Sequence, residues 1–338
     1  MKKTVELIDI GNDFTNEVKI IGVGKEGEAV VKHISDNRDI SADFFVISTV
    51  TQDVLKVSSE HLSFKINALE QEQNGGYITS DFDGMERIIG PCEVTFFLFS
   101  IDDLAAIETV FSISKSLKNR GVLCGISSVL PNEKNTDTKL ELLQQHVDFM
   151  LTIPTEESFN STYITSAQLD LLADNYYKPI YALTRVMKDE VVSNCYDWAE
   201  FKNFANANKK AAFRYEVIRK KSDILSHYED ALYKIFNYES LININSMALK
   251  HVLVHITAGD NFRPDDYRKI GDELGCLYEK GVVCLMGISI EAEQPKDIIK
   301  VAILLIGRDL IKDGCSSFES EEICLEKSLP IPQFLIKR

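Results

Sequence analysis

The 338-residue sequence has few of the features that mark membrane-bound or nucleic-acid-binding proteins. It contains 37 Lys and Arg against 52 Asp and Glu, so its formal net charge at pH 7 is −15. A surface of that sign repels nucleic-acid phosphates and anionic lipid headgroups, which disfavours both kinds of partner. Its apolar runs, such as residues 94–101, fall far short of the roughly 20 residues that a membrane helix needs.

The sequence also lacks a disulfide or zinc pattern and a signal peptide. The cysteine count is odd and no Cys-x-x-Cys occurs among Cys92, Cys124, Cys195, Cys276, Cys284, Cys315 and Cys324. We interpret these residues as reduced thiols, most of them core side chains. Acidic residues interrupt the N-terminal segment at Glu6, Asp9 and Asp13, which is not typical of a signal peptide. The sequence therefore predicts a cytoplasmic protein.

Apolar runs of strand length alternate with helical patterns in the first half of the chain. Strands are predicted at 18–24, 42–49, 94–100, 122–129 and 147–154, and helices at 28–34 and 104–121. The second of these helices places Leu104, Ile107 and Phe111 on one apolar face. This alternation predicts an α/β fold with a Rossmann-like, doubly wound parallel sheet.

A long helix and a second domain are predicted to follow. The helix covers 166–190, and Pro179 inside it predicts a boundary or a kink. The order of elements then changes, and a smaller α+β domain is predicted from helices at 221–237 and 265–280 and strands at 251–259, 282–291 and 298–307. The polar, acidic residues 308–328 are predicted to be a linker.

A glycine pattern follows the first strand. Gly22, Gly24 and Gly27 fit G-x-G-x-x-G, in which a tight turn and a helix N-terminus can face an anion. A strand–helix turn that binds no ligand fits the pattern equally well. Glu26 and Glu28 lie within the same segment, and their charge disfavours a phosphate.

Six segments, taken in order, resemble FtsZ, the bacterial tubulin homologue. They are IIGVGKEGEAVVKHI (20–34), FFVISTVTQDVL (44–55), VDFMLTIPTEE (147–157), CYDWAEFK (195–202), ALKHVLVHITAGDNF (248–262) and GISIEAEQPKDIIKVAILLIG (287–307). The resemblance implies an N-terminal extension (1–17), a GTPase-like nucleotide-binding domain (18–165), a core helix with a hydrolysis-type loop (166–205), a C-terminal α+β domain (206–307), the linker (308–328) and a peptide (329–338).

The glycine-rich GGGTGTG motif of that family is missing. Where the family has this motif, between the strand at 94–100 and the following helix, the sequence reads FSIDDLAAIE and contains no glycine. Asp102 and Asp103 stand at the helix start, where a carboxylate caps free N–H groups. We hypothesise that the chain caps its own helix where the family binds phosphate.

The resemblance implies roles for three further acidic residues. Asp174 matches the aspartate that reads the base, although the aromatic residue that stacks on guanine is replaced by Asp170. Asp197 matches the first acid of the hydrolysis loop, which acts in trans on a neighbouring subunit, and Glu200 stands in place of the second. A plain charged helix face at Asp174, and a loop at 195–202 that serves only as a subunit contact, remain open.

Two histidines, His251 and His255, lie four residues apart on a predicted strand and so share a face. No neighbouring cysteine or carboxylate completes a metal set. We therefore predict core or surface histidines and no metal site.

The segment LPIPQFLIKR, residues 329–338, resembles the FtsZ peptide that docks on membrane tethers and regulators of the division ring. The matching residues are Ile331, Pro332, Phe334, Leu335, Lys337 and Arg338. Apolar anchors in a groove and a basic end on an acidic rim are typical of such peptides. A strand or loop that folds back on the body is the alternative, and Pro330 departs from the usual aspartate.

Three functions remain open at this point. The first is a degenerate GTPase that serves as a structural or regulatory subunit of division filaments, with itself or an active FtsZ homologue as partner and located at the division site. The second is an unorthodox GTPase that uses the glycine turn with Asp197 and Glu200. The third is a Rossmann-like enzyme with another nucleotide. The expected cofactor is none, or weakly bound GTP or GDP.

Overall fold

The computed structural model describes residues 17–48, 62–65, 92–117, 121–129, 143–144, 146–155, 165–187, 210–219, 247–278 and 282–309. The chain divides into two compact units, Met1–Tyr177 and Lys178–Arg338. The predicted helix 221–237, the hydrolysis-type loop and most of the linker lie outside the described residues.

The first unit contains a parallel sheet. Its strands are β1 (Val18–Val23), β2 (Asp43–Ser48), β3 (Leu62–Lys65), β4 (Val94–Ser100), β5 (Val122–Val129) and β6 (Phe149–Pro154), in the spatial order β3-β2-β1-β4-β5-β6. Ile21 of β1 pairs with Phe45 on one side and with Phe97 on the other, and all three side chains are buried. Continuous apolar runs of this kind are typical of strands covered on both faces, and they explain why β1 and β4 are buried throughout.

The described residues of this unit also form the helices α1 (Gly24–Asn37) and α2 (Leu104–Leu117) and the first part of α3 (Ser166–Met187). Helix α1 packs against β1, β2 and β4. The buried face of α2 joins the core cluster around Phe97 and Phe99. Helix α3 contains the division between the two units, which falls between Tyr177 and Lys178.

The second unit contains a mixed sheet and a helix. Its strands are β7 (Lys210–Arg219), β8 (Met247–Ala258), β9 (Val283–Ile290) and β10 (Ile298–Asp309), and its helix is α4 (Pro264–Tyr278). The order is β7-β10-β8-β9, where β10 runs antiparallel to β7 and β8, and β8 runs parallel to β9. The predicted parallel α/β sheet with a smaller α+β part is therefore confirmed.

A buried ion pair lies within the sheet of the first unit. Lys19 of β1 and Asp43 of β2 are paired in register, and the Lys19 side chain contacts the Asp43 carboxylate. Lys19 is fully buried and Asp43 is 8% exposed. A charge in such a place is stable only while its partner remains, since an unpaired buried charge is strongly destabilising.

The structure corrects several sequence predictions. Helix α1 begins at Gly24 rather than at residue 28, and α3 continues through Pro179, where a boundary was one of the two predictions. Leu104 is 60% exposed and does not share the buried face of α2, because it is the first helical residue and the apolar stripe begins at Ala106 and Ile107.

Two strands were missed because their sequences carry weak signals. β3 has only four residues, and β7, with the sequence KAAFRYEVIR, carries charges at Lys210, Arg214, Glu216 and Arg219. Strand β10 also extends to Asp309, two residues into the predicted linker. None of the helices in the described part of the chain is long and apolar enough to cross a membrane.

Candidate functional site

The strand order of the first unit creates a place where a ligand crevice is expected. Strand β1 lies between β2 and β4, so the connections that follow β1 and β4 lead towards opposite edges of the sheet. In open α/β sheets, ligands bind outside the carboxyl ends of the strands at which the order reverses. This crevice is bordered by residues 24–27 at the start of α1 and residues 101–103 between β4 and α2.

A carboxylate lies against the glycine that opens α1. Gly24 has φ +73°, and a Cβ atom built on it would lie 2.4 Å from Asp103 Oδ2. No residue with a side chain could sit so close to this carboxylate unless the carboxylate moved. The Asp103 side chain therefore occupies the space directly over the Gly24 backbone.

The same aspartate caps helix α2. Its Oδ1 accepts a hydrogen bond from the Ala106 N–H at 3.0 Å, and its carbonyl oxygen accepts the first helical bond from the Ile107 N–H at 3.0 Å. These contacts are those of an N-cap residue. The prediction that the chain caps this helix with its own carboxylate is confirmed for Asp103.

Asp102 has a different environment from its neighbour. Its backbone N–H donates to Ser100 Oγ at 3.3 Å, whereas its buried Oδ1 has no hydrogen-bond partner among the described residues. Only one of the two aspartates therefore acts as the cap.

The two glutamates of the glycine turn are buried rather than open to the crevice. Glu28 is 7% exposed and pairs with Lys32 at 2.7 Å, one helical turn further on. Glu26 is 4% exposed, and burial raises the pKa of its carboxyl above the usual range, with a smaller contribution from the charge of Asp103. The charge of Asp103, rather than that of Glu26 or Glu28, therefore lies next to Gly24.

Tyr176 of α3 brings the strand ends and α1 together. Its hydroxyl lies 2.7 Å from Glu26 Oε1, 2.7 Å from the Phe99 carbonyl oxygen and 2.8 Å from the Ser128 nitrogen. Burial raises the pKa of the phenol well above its usual value, and the nearby Glu26 adds to the shift. Phe99 and Ser128 stand near the carboxyl ends of β4 and β5, so this contact borders the same crevice.

The other two glycines of the predicted motif serve close packing. A Cβ atom on Gly27 would lie 2.0 Å from the Leu98 carbonyl oxygen, and one on Gly22 would lie 2.2 Å from the Gly27 carbonyl oxygen. Both positions need glycine because the backbone of α1 touches the backbones of β1 and β4. This requirement holds with or without a ligand.

Asp174, the predicted base-reading residue, contacts an arginine. Arg38 Nη2 lies 3.5 Å from Asp174 Oδ1 and 3.1 Å from Asp170 Oδ1, and His33 Nε2 lies 2.9 Å from the same Asp170 oxygen. The hydrogen bond with His33 is the largest of the causes that lower the pKa of the Asp170 carboxyl. The guanidinium also lies 5.7 Å from the centre of the Tyr177 ring. The carboxylates of α3 are thus engaged by the C-terminal half of α1 and the residue after it.

Several predicted site residues lie outside the described residues. They are the two acids of the hydrolysis-type loop, Asp197 and Glu200, and the whole peptide 329–338 with Ile331, Pro332, Phe334, Leu335, Lys337 and Arg338. Their roles stay predictions.

The predicted histidine pair lies on β8 of the second unit, as the sequence indicated. His255 is 2% exposed, and its Nε2 lies 3.0 Å from Ser289 Oγ. Burial, with a contribution from the charge of Arg185, lowers the pKa of His255 to about 4. Within the described ranges, no group of His, Cys, Asp or Glu side chains could hold a metal ion.

Sequence reasoning missed the contacts between α3 and the segment that contains α1. The spacing of Ala173, Tyr176 and Ile180 places Tyr176 on a buried helical face, and this spacing was the only signal for it. Nothing in the sequence indicated that its hydroxyl meets Glu26, or that Arg38 meets Asp174.

Comparison with known proteins finds solved structures that have a similar fold. No protein-family model matches the sequence, and no curated protein is significantly similar to it. FtsZ from M. jannaschii superposes with a TM-score of 0.65 at 15% identity, over 86% of this chain and 90% of that one. CetZ from Methanosaeta thermophila gives 0.62 at 15% identity, over 87% and 86%. TubZ from Bacillus thuringiensis serovar israelensis gives 0.57 at 10% identity, over 88% and 89%.

These likenesses cover between 86% and 90% of each chain. The resemblance that the sequence predicted is confirmed at the level of the fold. The chain has the fold of the FtsZ/tubulin superfamily.

Proposed function

We propose that this chain is a cytoplasmic, FtsZ-like filament protein that acts as a structural or regulatory subunit of division filaments at the division site, and whose nucleotide site is degenerate. In this proposal it binds GTP or GDP weakly or not at all. Its partners are copies of itself or an active FtsZ homologue, and its nucleotide-type domain is residues 18–165.

The position of Asp103 is the observation that carries the proposal. Its carboxylate lies over the Gly24 backbone and takes the Ala106 N–H of α2. A phosphate held at this crevice needs those free N–H groups and the space next to the glycine. It would also face the carboxylate charge, which at 4 Å costs about 1 kcal/mol in water and about 4 kcal/mol at the effective dielectric of a protein surface.

Self-association is supported by the solved structures that share the fold. The TubZ structure is described as GDP-form protofilaments, and one of the FtsZ structures is an empty dimer. We carry the ability to form such assemblies over to this chain as part of the proposal.

The peptide 329–338 is the proposed contact with division-ring tethers and regulators. Its apolar residues would enter a groove on the partner, while Lys337 and Arg338 would meet acidic groups at the rim. Pro332 would restrict the free peptide, so that less conformational entropy is lost when the peptide binds.

A second candidate function is an unorthodox GTPase. It is favoured by the GDP form of the TubZ structure, which shows that a protein of this fold holds a nucleotide. In this case Gly22, Gly24 and Gly27 would face the phosphates, and Asp197 and Glu200 would act on the nucleotide of a neighbouring subunit.

Equilibrium binding of GTP and GDP to the purified protein separates the two candidates. We expect no binding at micromolar concentrations, and micromolar affinity would favour the GTPase. The Asp103→Asn variant is the matched control, because it keeps an oxygen for the helix cap and removes the charge. A gain in GTP affinity in this variant would measure the repulsion by the carboxylate.

Light scattering tests assembly, with the protein alone and mixed with an active FtsZ. A change in the scattering of the active protein is expected if this chain enters or borders its filaments. No scattering alone and no effect in the mixture would contradict a filament role.

Pull-down experiments test the peptide. Deletion after Ser328 and the Phe334→Ala variant should each lose the division-ring partners, whereas Gln333→Ala, which changes a position outside the motif, should keep them. Unchanged recovery after the deletion would remove the peptide from the proposal.

A further inference from the structure

The contacts of the Tyr176 hydroxyl restrict which of the surrounding groups can carry a proton. Three polar atoms lie within 2.8 Å of this oxygen: Glu26 Oε1, the Phe99 carbonyl oxygen and the Ser128 nitrogen. A phenol has one proton to donate and can accept two. The Ser128 N–H can only donate, and the Phe99 carbonyl can only accept.

The remaining contact, between the phenol oxygen and Glu26, depends on the proton of Glu26. An ionised Glu26 could only accept, as the Phe99 carbonyl does, so the single phenol proton would serve one of them and leave the other oxygen 2.7 Å from the phenol oxygen with no proton between the two. A protonated Glu26 instead donates to the phenol, and every group then has a partner: Glu26 and Ser128 donate to Tyr176, and Tyr176 donates to Phe99. Buried polar groups are satisfied in this way in nearly all folded proteins.

Burial of Glu26 also disfavours its charge. Tyr176 from α3 and Ser128 from β5 are neutral groups, and the charged neighbour is Asp103, just before α2. On α1 itself, Glu28 is paired with Lys32. Burial is the largest cause and raises the pKa of Glu26. Hydrogen bonds with the Ser128 and Tyr176 side chains come next and lower it, and the negative charge of Asp103, the smallest of these causes, raises it.

We propose that Glu26 is a protonated carboxylic acid in the folded protein and that, with Tyr176, it forms a proton-dependent lock. The lock joins the first turn of α1 to α3 and to the ends of β4 and β5 without any ligand. Loss of the proton removes the Glu26 donor, and the phenol proton can then serve only Glu26 or Phe99, so the contacts that hold α3 at the strand ends weaken as the pH rises. The lock goes beyond the proposed function and stands whether or not a nucleotide binds.

The direction of the pH effect follows from linkage. Because the pKa of Glu26 is raised in the folded state, the folded protein binds a proton that the unfolded chain releases above its ordinary pKa of about 4.5. The contribution of Glu26 to stability is therefore complete below that pH and is lost as the pH rises through the folded-state pKa. A glutamine at this position keeps a donor and cannot ionise.

Infrared difference spectroscopy tests the proton directly. The spectrum of the wild type minus that of Glu26→Gln at neutral pH should contain the C=O stretching band of a protonated carboxylic acid. Glu28→Gln is the matched control, because Glu28 is also buried but ion-paired, and its difference spectrum should contain only carboxylate bands. Absence of the protonated band in the Glu26 difference spectrum would overturn the proposal.

Hydrogen exchange tests the lock. In Tyr176→Phe the Ser128 amide loses its acceptor, and its exchange should become about 5- to 150-fold faster. Tyr177→Phe is the control, because that hydroxyl lies 3.4 Å from the Asp39 carbonyl oxygen, so its removal should leave Ser128 protected. Glu26→Gln should resemble the wild type at neutral pH.

The pH dependence of the same amide gives the second comparison. After correction for the intrinsic exchange rate, protection of Ser128 in the wild type should fall as the pH rises, whereas in Glu26→Gln it should stay constant. Equal slopes in the two proteins would overturn the proposal. The infrared test uses only the wild type and glutamine variants, so it decides the question even if Tyr176→Phe does not fold. None of these readouts depends on GTP binding or filament formation.

Discussion

The contact between Asp103 and Gly24 can be measured with a double-mutant cycle. The perturbations are Gly24→Ala, Asp103→Ala and the two together. Gly24→Ala alone should lower the free energy of unfolding by about 1–2 kcal/mol, because it places a side chain in the left-handed backbone conformation. The free energy of unfolding should fall by about 1–3 kcal/mol more, because the new Cβ would lie 2.4 Å from Asp103 Oδ2 and force the carboxylate away.

Asp103→Ala alone removes the helix cap, at a cost of about 0.5–2 kcal/mol. In the double variant the overlap is gone, because the carboxylate is absent, although Ala106 Cβ remains at 3.1 Å. We therefore expect the double variant to be about 1–2 kcal/mol more stable than the sum of the single changes predicts. The cost of the left-handed backbone conformation at Gly24 remains in the double variant, so this variant should still be less stable than the wild type by at least that amount.

Urea denaturation followed by circular dichroism gives the free energies of unfolding, with an unchanged m-value as the check that the same surface is exposed. Asp102→Ala combined with Gly24→Ala is the control and should be additive, because the atoms nearest the new Cβ belong to Asp103 and Ala106. A coupling energy below about 0.5 kcal/mol between Gly24 and Asp103 would mean that the two changes are additive. That result would refute the placement of the Asp103 carboxylate over the Gly24 backbone.

Three further outcomes are expected from the same denaturation assay. Lys19→Met should cost about 3–5 kcal/mol because it removes the cation that contacts the buried Asp43 carboxylate, and changing both residues to apolar ones should recover much of that loss; a cost near zero would contradict the buried pair. The unfolded chain binds a proton on His255 below about pH 6.5 whereas the folded chain does so only near pH 4, so the free energy of unfolding should fall by about 3 kcal/mol over this range. His255→Gln should remove that part of the pH dependence, and an unchanged slope would argue against a buried neutral imidazole. Gly27→Ala should cost at least about 1–3 kcal/mol, because its Cβ would meet the backbone of Leu98; a neutral result would mean that α1 can move away from β4.

Local patterns in the sequence were sufficient for the architecture. The apolar runs of β1, β4 and β5 and the helical stripes between them predicted a parallel α/β sheet, because a strand buried on both faces must be apolar along its whole length. The N-cap preference of aspartate predicted the cap at Asp103, which is a contact between neighbours in the chain. Where the pattern was short or charged, as in β3 and β7, the prediction failed.

The partners of the side chains on α1 and α3 were decided by the tertiary structure. Tyr176 and Glu26 are 150 positions apart in the sequence, and Arg38 contacts Asp170, which is 132 positions away. The residue types alone indicated a charged turn and a charged helix face, and neither indicated a partner. Such pairs depend on which helix covers which strand end and at what distance, and these follow from the packing of the whole unit rather than from any local propensity. For the same reason, the sequence predicted Glu26 as a charge facing the crevice, whereas the fold buries it against a phenol.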